Sequence, residues 1–164
     1  MNYCRLCDSN SLEKCYSLPP AFIADTFLRE AYAKSQRYKY DLFVCKECHH
    51  VQTHDVLPPQ MLFGSSYTYT PSYSPALRSH FQNYASEITN VVVLNTHSQA
   101  IDIGSNDGLF LKCLRERTGC AVLGIEPAEG PRNFAIENGI ETKELFLAEN
   151  MRKSLNQKCE NQLA

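Results

Sequence analysis

The chain has 164 residues, of which 43% are hydrophobic and 21% are charged, and its formal net charge at pH 7 is −2. This length suits one medium-sized domain or two small ones, and the charge gives no reason to expect nucleic acid or a membrane surface as a partner. The N-terminus lacks the apolar stretch of a secretion signal, and the longest aliphatic run, residues 91–94, is too short to span a bilayer. We therefore expect a cytoplasmic protein, in which cysteines stay reduced.

Four of the eight cysteines form two Cys-x-x-Cys pairs: Cys4, Cys7, Cys45 and Cys48. Paired cysteines at this spacing in a reducing compartment are typical of metal ligands. Four thiolates favour a tetrahedral, redox-inert ion, so the sequence predicts a closed, structural zinc site. The other cysteines show no ligand spacing and are interpreted as ordinary thiols: Cys15, Cys113, Cys120 and Cys159.

Other interpretations of the cysteine pairs stay open at this point. Residues 45–49 also match the Cys-x-x-Cys-His pattern of c-type haem attachment, although that reading leaves the first pair unexplained and requires export. A redox-active pair is a second alternative, and a metal ligand from His49 or His50 is a third. A nucleic-acid-binding zinc ribbon is a weak interpretation, because lysine and arginine are spread thinly along the chain.

Residues 1–56 are predicted to form a zinc-binding domain. Apolar and polar residues alternate over residues 38–44, apart from Phe43, and this pattern leads directly into Cys45. The alternation predicts a strand that delivers the second cysteine pair. So small a core would scarcely be stable without its metal.

Residues 57–97 are predicted to be a linker rich in tyrosine and serine, followed by a helix. The linker forms a loop over residues 57–74, and Ser74-Pro75 has the pattern of a helix N-terminus. A helix over about residues 75–92 is indicated by apolar residues at helical spacing: Leu77, Phe81, Tyr84 and Ile88.

Residues 98–164 are predicted to alternate strands and helices. A buried parallel strand is expected over residues 100–104, a helix over 109–118 and a second strand over 121–126. A short helix over residues 131–138, a third strand at 140–143 and a frayed helix over 145–164 complete the prediction. The fold class is therefore α/β, with a small N-terminal zinc-binding domain followed by the first part of a Rossmann-like parallel sheet.

The turn Gly-Ser-Asn-Asp-Gly at residues 104–108 follows a predicted strand and opens a helix, which is the setting in which such turns bind nucleotide-like ligands. Gly104 lets the backbone approach a ligand, and Gly108 lets the helix pack closely. Carboxylates at Asp102 and Asp107 suit a cationic or hydroxyl-rich ligand better than a pyrophosphate. S-adenosylmethionine, which carries an ammonium, a sulfonium and a ribose, is such a ligand.

Glu126 ends the second predicted strand of this region. A carboxylate at that position can accept hydrogen bonds from both hydroxyls of a ribose. The alternative is that residues 104–108 form only a tight strand–helix turn and that the acid at the strand end has no role in binding.

Four segments occur in one order along the chain: residues 4–7, 45–52, 67–81 and 103–108. In this combination the chain resembles S-adenosylmethionine-dependent C-methyltransferases with an N-terminal zinc-binding domain, which act on nucleotide-linked deoxysugars or closely related substrates. The similarity covers about residues 3–145. It implies that a class I methyltransferase domain follows the zinc-binding domain.

The resemblance also implies a role for each matching residue. The zinc ligands are matched by Cys4, Cys7, Cys45 and Cys48. The loop around the methionine portion of the cofactor is matched by Gly104, Asn106, Asp107 and Gly108, and the ribose and adenine end by Glu126 and Pro127. A segment that folds over the cofactor is matched by Tyr67, Tyr69, Ser72 and Ser74, with a linker that merely packs on the sheet as the alternative.

Two features depart from the family pattern. His49 stands where a small residue is usual after the second cysteine pair, and the chain supplies only two or three strands of the sheet. We therefore expect the N-terminal portion of an enzyme, inactive alone and with no assignable catalytic residue. The main alternative is a non-catalytic zinc-binding module that associates with a partner chain or with itself.

Overall fold

The structure is a computed structural model that describes residues 2–24 and 36–146. The chain divides into two compact units, Met1–Leu62 and Phe63–Ala164. The frayed helix predicted over residues 145–164 lies almost entirely outside the described residues. Within them, no helix has the length and apolar character needed to cross a membrane.

The first unit contains an antiparallel sheet in the order β1 (Leu12–Ala21), β2 (Tyr38–Cys45) and β3 (Val51–Thr53). β2 is the predicted strand, and it delivers Cys45 at its end. β1 is not predicted from the sequence, because Leu-Pro-Pro at residues 18–20 is typical of a loop. The prolines are tolerated because β1 pairs with β2 alone among the described strands, and its register shifts between Leu18 and Ala21.

The second unit contains a parallel sheet in the order β4 (Gln99–Ile103), β5 (Ala121–Ile125) and β6 (Thr142–Lys143). Helix α3 (Leu109–Thr118) connects the first two strands, and α4 (Glu129–Glu137) connects the last two. This alternation of strand and helix confirms the predicted fold class. The three strands run in one direction, so the turns after β4 and β5 meet at the same edge of the sheet.

Two predicted elements differ from those in the structure, one in its content and one in its first residue. The loop predicted over residues 57–74 contains the short helix α1 (Pro59–Leu62) and a 3₁₀ helix over Pro71–Tyr73. Helix α4 begins two residues earlier than predicted, because Pro131 is accommodated in its first turn, where a backbone N–H is not needed. The predicted start of α2 (Pro75–Val91) is confirmed, and the Ser74 Oγ accepts a hydrogen bond from the Leu77 N–H.

The core of the second unit lies on the face of the sheet that carries Ala100 and Val122. Helices α2 and α3 pack there through Ala85 and Leu114, and a neighbouring cluster joins Leu111 to α4 and to Ile140, two residues before β6. The opposite face carries Leu123 and Ile125 of β5, which pack with Leu145. The helices therefore cover one face of the sheet. Because α3 packs on this face, the turn that leads into it from β4 is held at the edge of the sheet.

The prediction that β4 is buried is wrong, because none of its residues is fully buried. Ile101 is 44% exposed and Ile103 is 52% exposed. They lie opposite Leu123 and Ile125 in the parallel register, on the face that α2 and α3 do not cover. Within the described residues β4 pairs with β5 alone, so neither a second neighbouring strand nor a helix shields these side chains.

We expect Gly124→Ala to lower the free energy of unfolding by about 1–3 kcal/mol, the usual cost of overpacking a filled core. A Cβ at Gly124 would lie 2.5 Å from the Ser105 Oγ and 2.8 Å from the Thr142 Oγ1. Urea unfolding followed by circular dichroism measures the change. Gly130→Ala is the matched control, because a Cβ there meets its nearest atom, the Tyr67 carbonyl oxygen, at an ordinary 3.5 Å. Equal losses in both variants would contradict the packing of β5.

Candidate functional site

The four cysteines predicted as metal ligands come together in the first unit. The sulfur atoms of Cys4, Cys7, Cys45 and Cys48 all lie within 4.8 Å of one another. Two of the separations, Cys4 to Cys48 and Cys7 to Cys45, are 3.6 Å. Sulfurs around a tetrahedral zinc ion with Zn–S bonds of ≈ 2.3 Å lie about 3.8 Å apart, whereas a disulfide bond is about 2.05 Å long. The cluster therefore fits one shared ion and contains no disulfide.

The two cysteine pairs lie on loops of the same construction, the first cysteine loop (residues 4–9) and the second cysteine loop (residues 45–50). In each, the N–H of the residue after the pair donates to the carbonyl oxygen of the first cysteine: Asp8 to Cys4, and His49 to Cys45, both at 2.9 Å. Asp8 and His49 both adopt a left-handed backbone, with φ of 59° and 60°. Aspartate and histidine are among the residues that tolerate this conformation, so His49 fits the same turn position in the second loop that Asp8 occupies in the first.

His49 and His50 are not members of the four-cysteine group, which is the only cluster of potential metal ligands found among residues 2–24 and 36–146. Cys4 and Cys45 are buried, whereas Cys7 is exposed. Backbone N–H groups of Cys48 and Glu47 donate to the Cys45 sulfur and lower its pKa to about 6. Four protein ligands close the coordination sphere of a tetrahedral ion, so this site has the character of a structural metal centre.

The purified chain is expected to carry about one zinc ion per molecule, and Cys48→Ser should release it and unfold the first unit. The second unit, which has its own core, should keep its helical circular dichroism. Cys15→Ser is the matched control, because Cys15 lies on β1 outside the cluster and donates to the Leu42 carbonyl oxygen. Elemental analysis and circular dichroism measure both effects. Haem absorbance, or protein prepared without chelator that holds no zinc, would refute the assignment.

The second candidate site surrounds the turn between β4 and α3, where three residues have left-handed backbones. Gly104, Asn106 and Gly108 have φ of 79°, 49° and 73°. A Cβ at Gly104 would meet no atom within 4 Å, so the space beside this residue is open. A Cβ at Gly108 would lie 3.1 Å from Ile140, so glycine there permits close packing against the segment before β6.

Glu126 connects the turn after β4 to the loop after β5 at this edge of the sheet. Its side chain is 5% exposed; one carboxylate oxygen accepts from the Asn106 N–H at 2.9 Å, and the other accepts from the Ala128 N–H at 2.8 Å. Each oxygen keeps further acceptor capacity. Arg132 steadies the same loop, because its guanidinium donates to the Pro127 carbonyl oxygen at 2.9 Å and pairs with Glu144 at 3.0 Å.

Asp107 connects the turn to the tyrosine-rich segment, residues 67–74. Its carboxylate is 3% exposed and accepts from the Ser72 N–H at 2.7 Å and from the Leu109 N–H at 3.2 Å. The Ser72 carbonyl oxygen in turn accepts from Arg78 of α2. Ser72 is therefore held from both sides, which positions this segment beside the turn.

The aromatic residues of this segment lie apart from one another. The Tyr73 ring packs edge-on against Phe134 of α4, with ring centroids 5.8 Å apart. Tyr67 is half-buried and its ring packs against Phe63, whereas Tyr69 is 50% exposed. The segment thus contacts the turn through Ser72 and α4 through one edge of the Tyr73 ring, while Tyr73 stays 73% exposed and Tyr69 50% exposed.

A cavity of about 230 Å³ opens beside the turn, within the second unit. Four residues predicted to bind a cofactor line it: Asp102, Gly104, Asn106 and Asp107. The other seven do not line this cavity: Tyr67, Tyr69, Ser72, Ser74, Gly108, Glu126 and Pro127. The lining includes six residues that the prediction missed: Pro71, Phe81, Tyr84, Ser105, Leu109 and Phe110. Phe81 and Tyr84 belong to the predicted apolar stripe of α2, a pattern that indicates burial but not which cavity a residue lines.

Two side-chain oxygen atoms at this turn are buried and have no hydrogen-bond partner, the Ser105 Oγ and the Asn106 Oδ1. Ser105 is 5% exposed as a whole residue. Burying a polar group without a partner costs free energy, and such atoms are commonly satisfied by an ordered water or a ligand. Burial raises the pKa of Asp102, and the neighbouring Glu126 carboxylate raises it further. The cavity lining therefore combines the carboxyl groups of Asp102 and Asp107 with the aromatic rings of Phe81, Tyr84 and Phe110, which suits a ligand with a cationic group.

We expect Asp102→Asn to raise the free energy of unfolding at pH 7, because it removes a desolvated charge that Glu126 repels. The pKa of Asp102 is higher in the folded than in the unfolded chain. Wild-type stability therefore rises as the pH falls through the folded-state pKa, and the advantage of the variant shrinks there. Urea unfolding at several pH values measures this, with Glu137→Gln on the exposed end of α4 as control. A less stable Asp102→Asn chain at pH 7 would contradict the argument.

The fold and the four-cysteine cluster together define a zinc-binding unit followed by the start of a Rossmann-like parallel sheet. The family model Methyltransf_13, which describes a zinc binding domain, matches residues 4–63. Over 105 residues the chain is 28% identical to the C-methyltransferase NovU of Streptomyces niveus, a match that covers 64% of this chain and 24% of NovU. The chain thus spans about a quarter of the length of this curated relative. The resemblance to C-methyltransferases with an N-terminal zinc-binding domain is confirmed.

Proposed function

We propose that the chain is the N-terminal portion of an S-adenosylmethionine-dependent C-methyltransferase, in which a structural zinc ion stabilises the first unit. The proposed organisation is a zinc-binding domain at residues 1–56, a linker and helix at 57–97 and a cofactor-binding domain at 98–164. The observation that carries the proposal is the cavity at the β4–α3 turn, with its carboxylate and its two unpartnered oxygen atoms. A carboxylate beside unsatisfied acceptors favours a ligand with cationic and N–H groups over a phosphate.

The methionine portion of the cofactor would be held at this turn. Asp102 supplies negative charge, the Asn106 Oδ1 supplies an acceptor, and the Ser105 hydroxyl can donate or accept; neither of these two oxygen atoms has a partner in the structure. Gly104 leaves open space in which the ligand approaches the backbone. The cavity of about 230 Å³ is smaller than the usual 300–1,000 Å³ of a complete ligand site, so it accounts for one part of the cofactor only.

The ribose end of the cofactor would be held by Glu126. Its carboxylate is fixed by the N–H groups of Asn106 and Ala128, so the remaining lone pairs of the oxygens point in defined directions. Arg132 holds the carbonyl oxygen of Pro127, the residue that would border the adenine. A group fixed in this way binds a diol without first losing side-chain entropy.

S-adenosylmethionine supplies an electrophilic methyl group in such a reaction. The residues of this chain would bind and orient it, and the tyrosine-rich segment, held to the turn through Ser72 and Asp107, would limit the access of water from its side. The proposed methyl acceptor is a carbon beside a keto group of a nucleotide-linked sugar. We assign no residue of the described ranges as the base that activates it, and we propose a cytoplasmic location from the reduced state that thiolate ligands require.

A second candidate function is a non-catalytic zinc-binding module that associates with a partner chain. The observation in its favour is the exposure of Ile101 and Ile103 on β4. Light scattering coupled to size exclusion distinguishes the candidates, because a binding module should elute as a stable oligomer or complex whether or not S-adenosylmethionine is present.

Titration calorimetry of the chain with S-adenosylmethionine tests the proposed cofactor site. Glu126→Ala should weaken binding by about 1.5–3 kcal/mol, the range for a hydrogen bond to a charged group. Glu129→Ala is the matched control, because this exposed acid begins α4 only three residues further on. Thermal denaturation of both variants verifies that they are folded. Equal affinities of Glu126→Ala and wild type would disprove the ribose assignment, and an absence of binding to the wild type would count against the cofactor site in this chain.

A further inference from the structure

Gln52 is the one buried polar side chain among the described residues of the first unit, where it is 3% exposed. It lies on β3, opposite Phe43 of β2. Its Oε1 accepts a hydrogen bond from the Arg5 N–H at 2.9 Å, and its Nε2 donates to the Tyr3 carbonyl oxygen at 3.1 Å. One amide thus bonds to the backbone on both sides of the ligand Cys4.

A further hydrogen bond supports this contact. The Arg5 guanidinium donates to the Thr53 carbonyl oxygen at 3.1 Å, so two successive residues of β3 hold the first cysteine loop. The loop's own backbone bonds, from Asp8 to Cys4 and from Cys4 to Ser9, close the turn but do not join it to the sheet. The chain that follows the loop is attached to the second cysteine pair, because the Lys46 N–H donates to the Ser11 carbonyl oxygen at 2.9 Å and Leu12 pairs with Cys45. Leu6, the other residue between the ligands, is 68% exposed and adds little packing.

The second cysteine loop is attached to the same strand. Residues Val44 and Val51 pair across β2 and β3, and the Cys45 N–H donates to the His50 carbonyl oxygen at 2.9 Å. β3 therefore lies between the two loops and contacts both. Whatever fixes the first loop to β3 also fixes Cys4 and Cys7 relative to Cys45 and Cys48.

We propose that Gln52 is a positioning residue of the metal site, whose amide holds the first cysteine loop in register with the second and thereby sets the affinity for zinc. The inference rests on the zinc site of the proposed function. The geometry requires one acceptor and one donor on the same planar group, which glutamine supplies. Glutamate accepts from Arg5 but places a second acceptor against the Tyr3 carbonyl oxygen, and methionine fills a similar volume without either hydrogen bond.

The test compares Gln52→Met and Gln52→Glu with wild type in the full chain. Cobalt(II) is titrated into the reduced, metal-free protein, its thiolate charge-transfer absorption is recorded, and zinc then displaces it. Residues that orient metal ligands typically change affinity 10–100-fold, and we expect a loss of zinc affinity of that size in both variants. Gln60→Met, on the exposed side of α1, should bind as wild type does.

The cobalt d–d bands separate positioning from a general loss of stability. They report the geometry of the four sulfurs, so Gln52→Met should shift or weaken them even at saturating cobalt. Phe43→Leu, which weakens packing on β2, should lower affinity but leave the bands unchanged. Wild-type affinity and unchanged bands in Gln52→Met would overturn the inference while leaving the zinc site intact. A wild-type chain without cobalt–thiolate absorption would overturn both the inference and the proposed metal site.

Discussion

The first unit depends on its four-cysteine cluster because it has hardly any other core. Among its described residues the buried hydrophobic side chains are Cys4 and Cys45, and the buried polar one is Gln52. Large apolar residues of the sheet stay in contact with solvent, as Tyr16 and Leu18 show at 60% and 42% exposure. A unit of this size gains too little from apolar burial to offset the entropy of ordering its chain. A bound ion supplies the missing free energy, since coordination then becomes part of folding.

The second unit holds two acids, Glu126 and Asp102, close together beside a small sheet. Glu126 is buried but bonded to two backbone N–H groups, and these contacts compensate for its lost hydration. Asp102 is half-buried, and its raised pKa reflects that burial and the charge of Glu126. Such an arrangement costs stability in the free protein and is relieved by a ligand that brings positive charge or N–H groups. The same residues that weaken the fold therefore favour the proposed ligand.

Local patterns explain why much of this architecture follows from the sequence. The two Cys-x-x-Cys pairs, the alternation before Cys45 and the Gly-Ser-Asn-Asp-Gly turn each depend on residues near one another in the chain. The zinc cluster, β2 and the order of β4, α3 and β5 were predictable for that reason. β1 was not, because Leu-Pro-Pro at residues 18–20 favours a loop and only pairing with β2 makes it a strand. The exposure of Ile101 and the cavity wall formed by Phe81 were also beyond sequence patterns, since both depend on which elements pack against β4.

The contacts of the turn distinguish the roles of two acids, Asp102 and Asp107, that sequence patterns alone do not tell apart. Both oxygens of Asp107 accept from backbone N–H groups, one of them in the tyrosine-rich segment, so this carboxylate holds the segment in place. Asp102 lines the same cavity with a raised pKa and lies on the strand, whose backbone is already fixed by pairing with β5. Within the proposed site, Asp102 is thus the carboxylate whose charge faces a ligand, and Asp107 acts through the segment it holds. In the proposed site the two acids of one motif would therefore have different roles, with Asp102 facing the ligand and Asp107 holding the tyrosine-rich segment beside it.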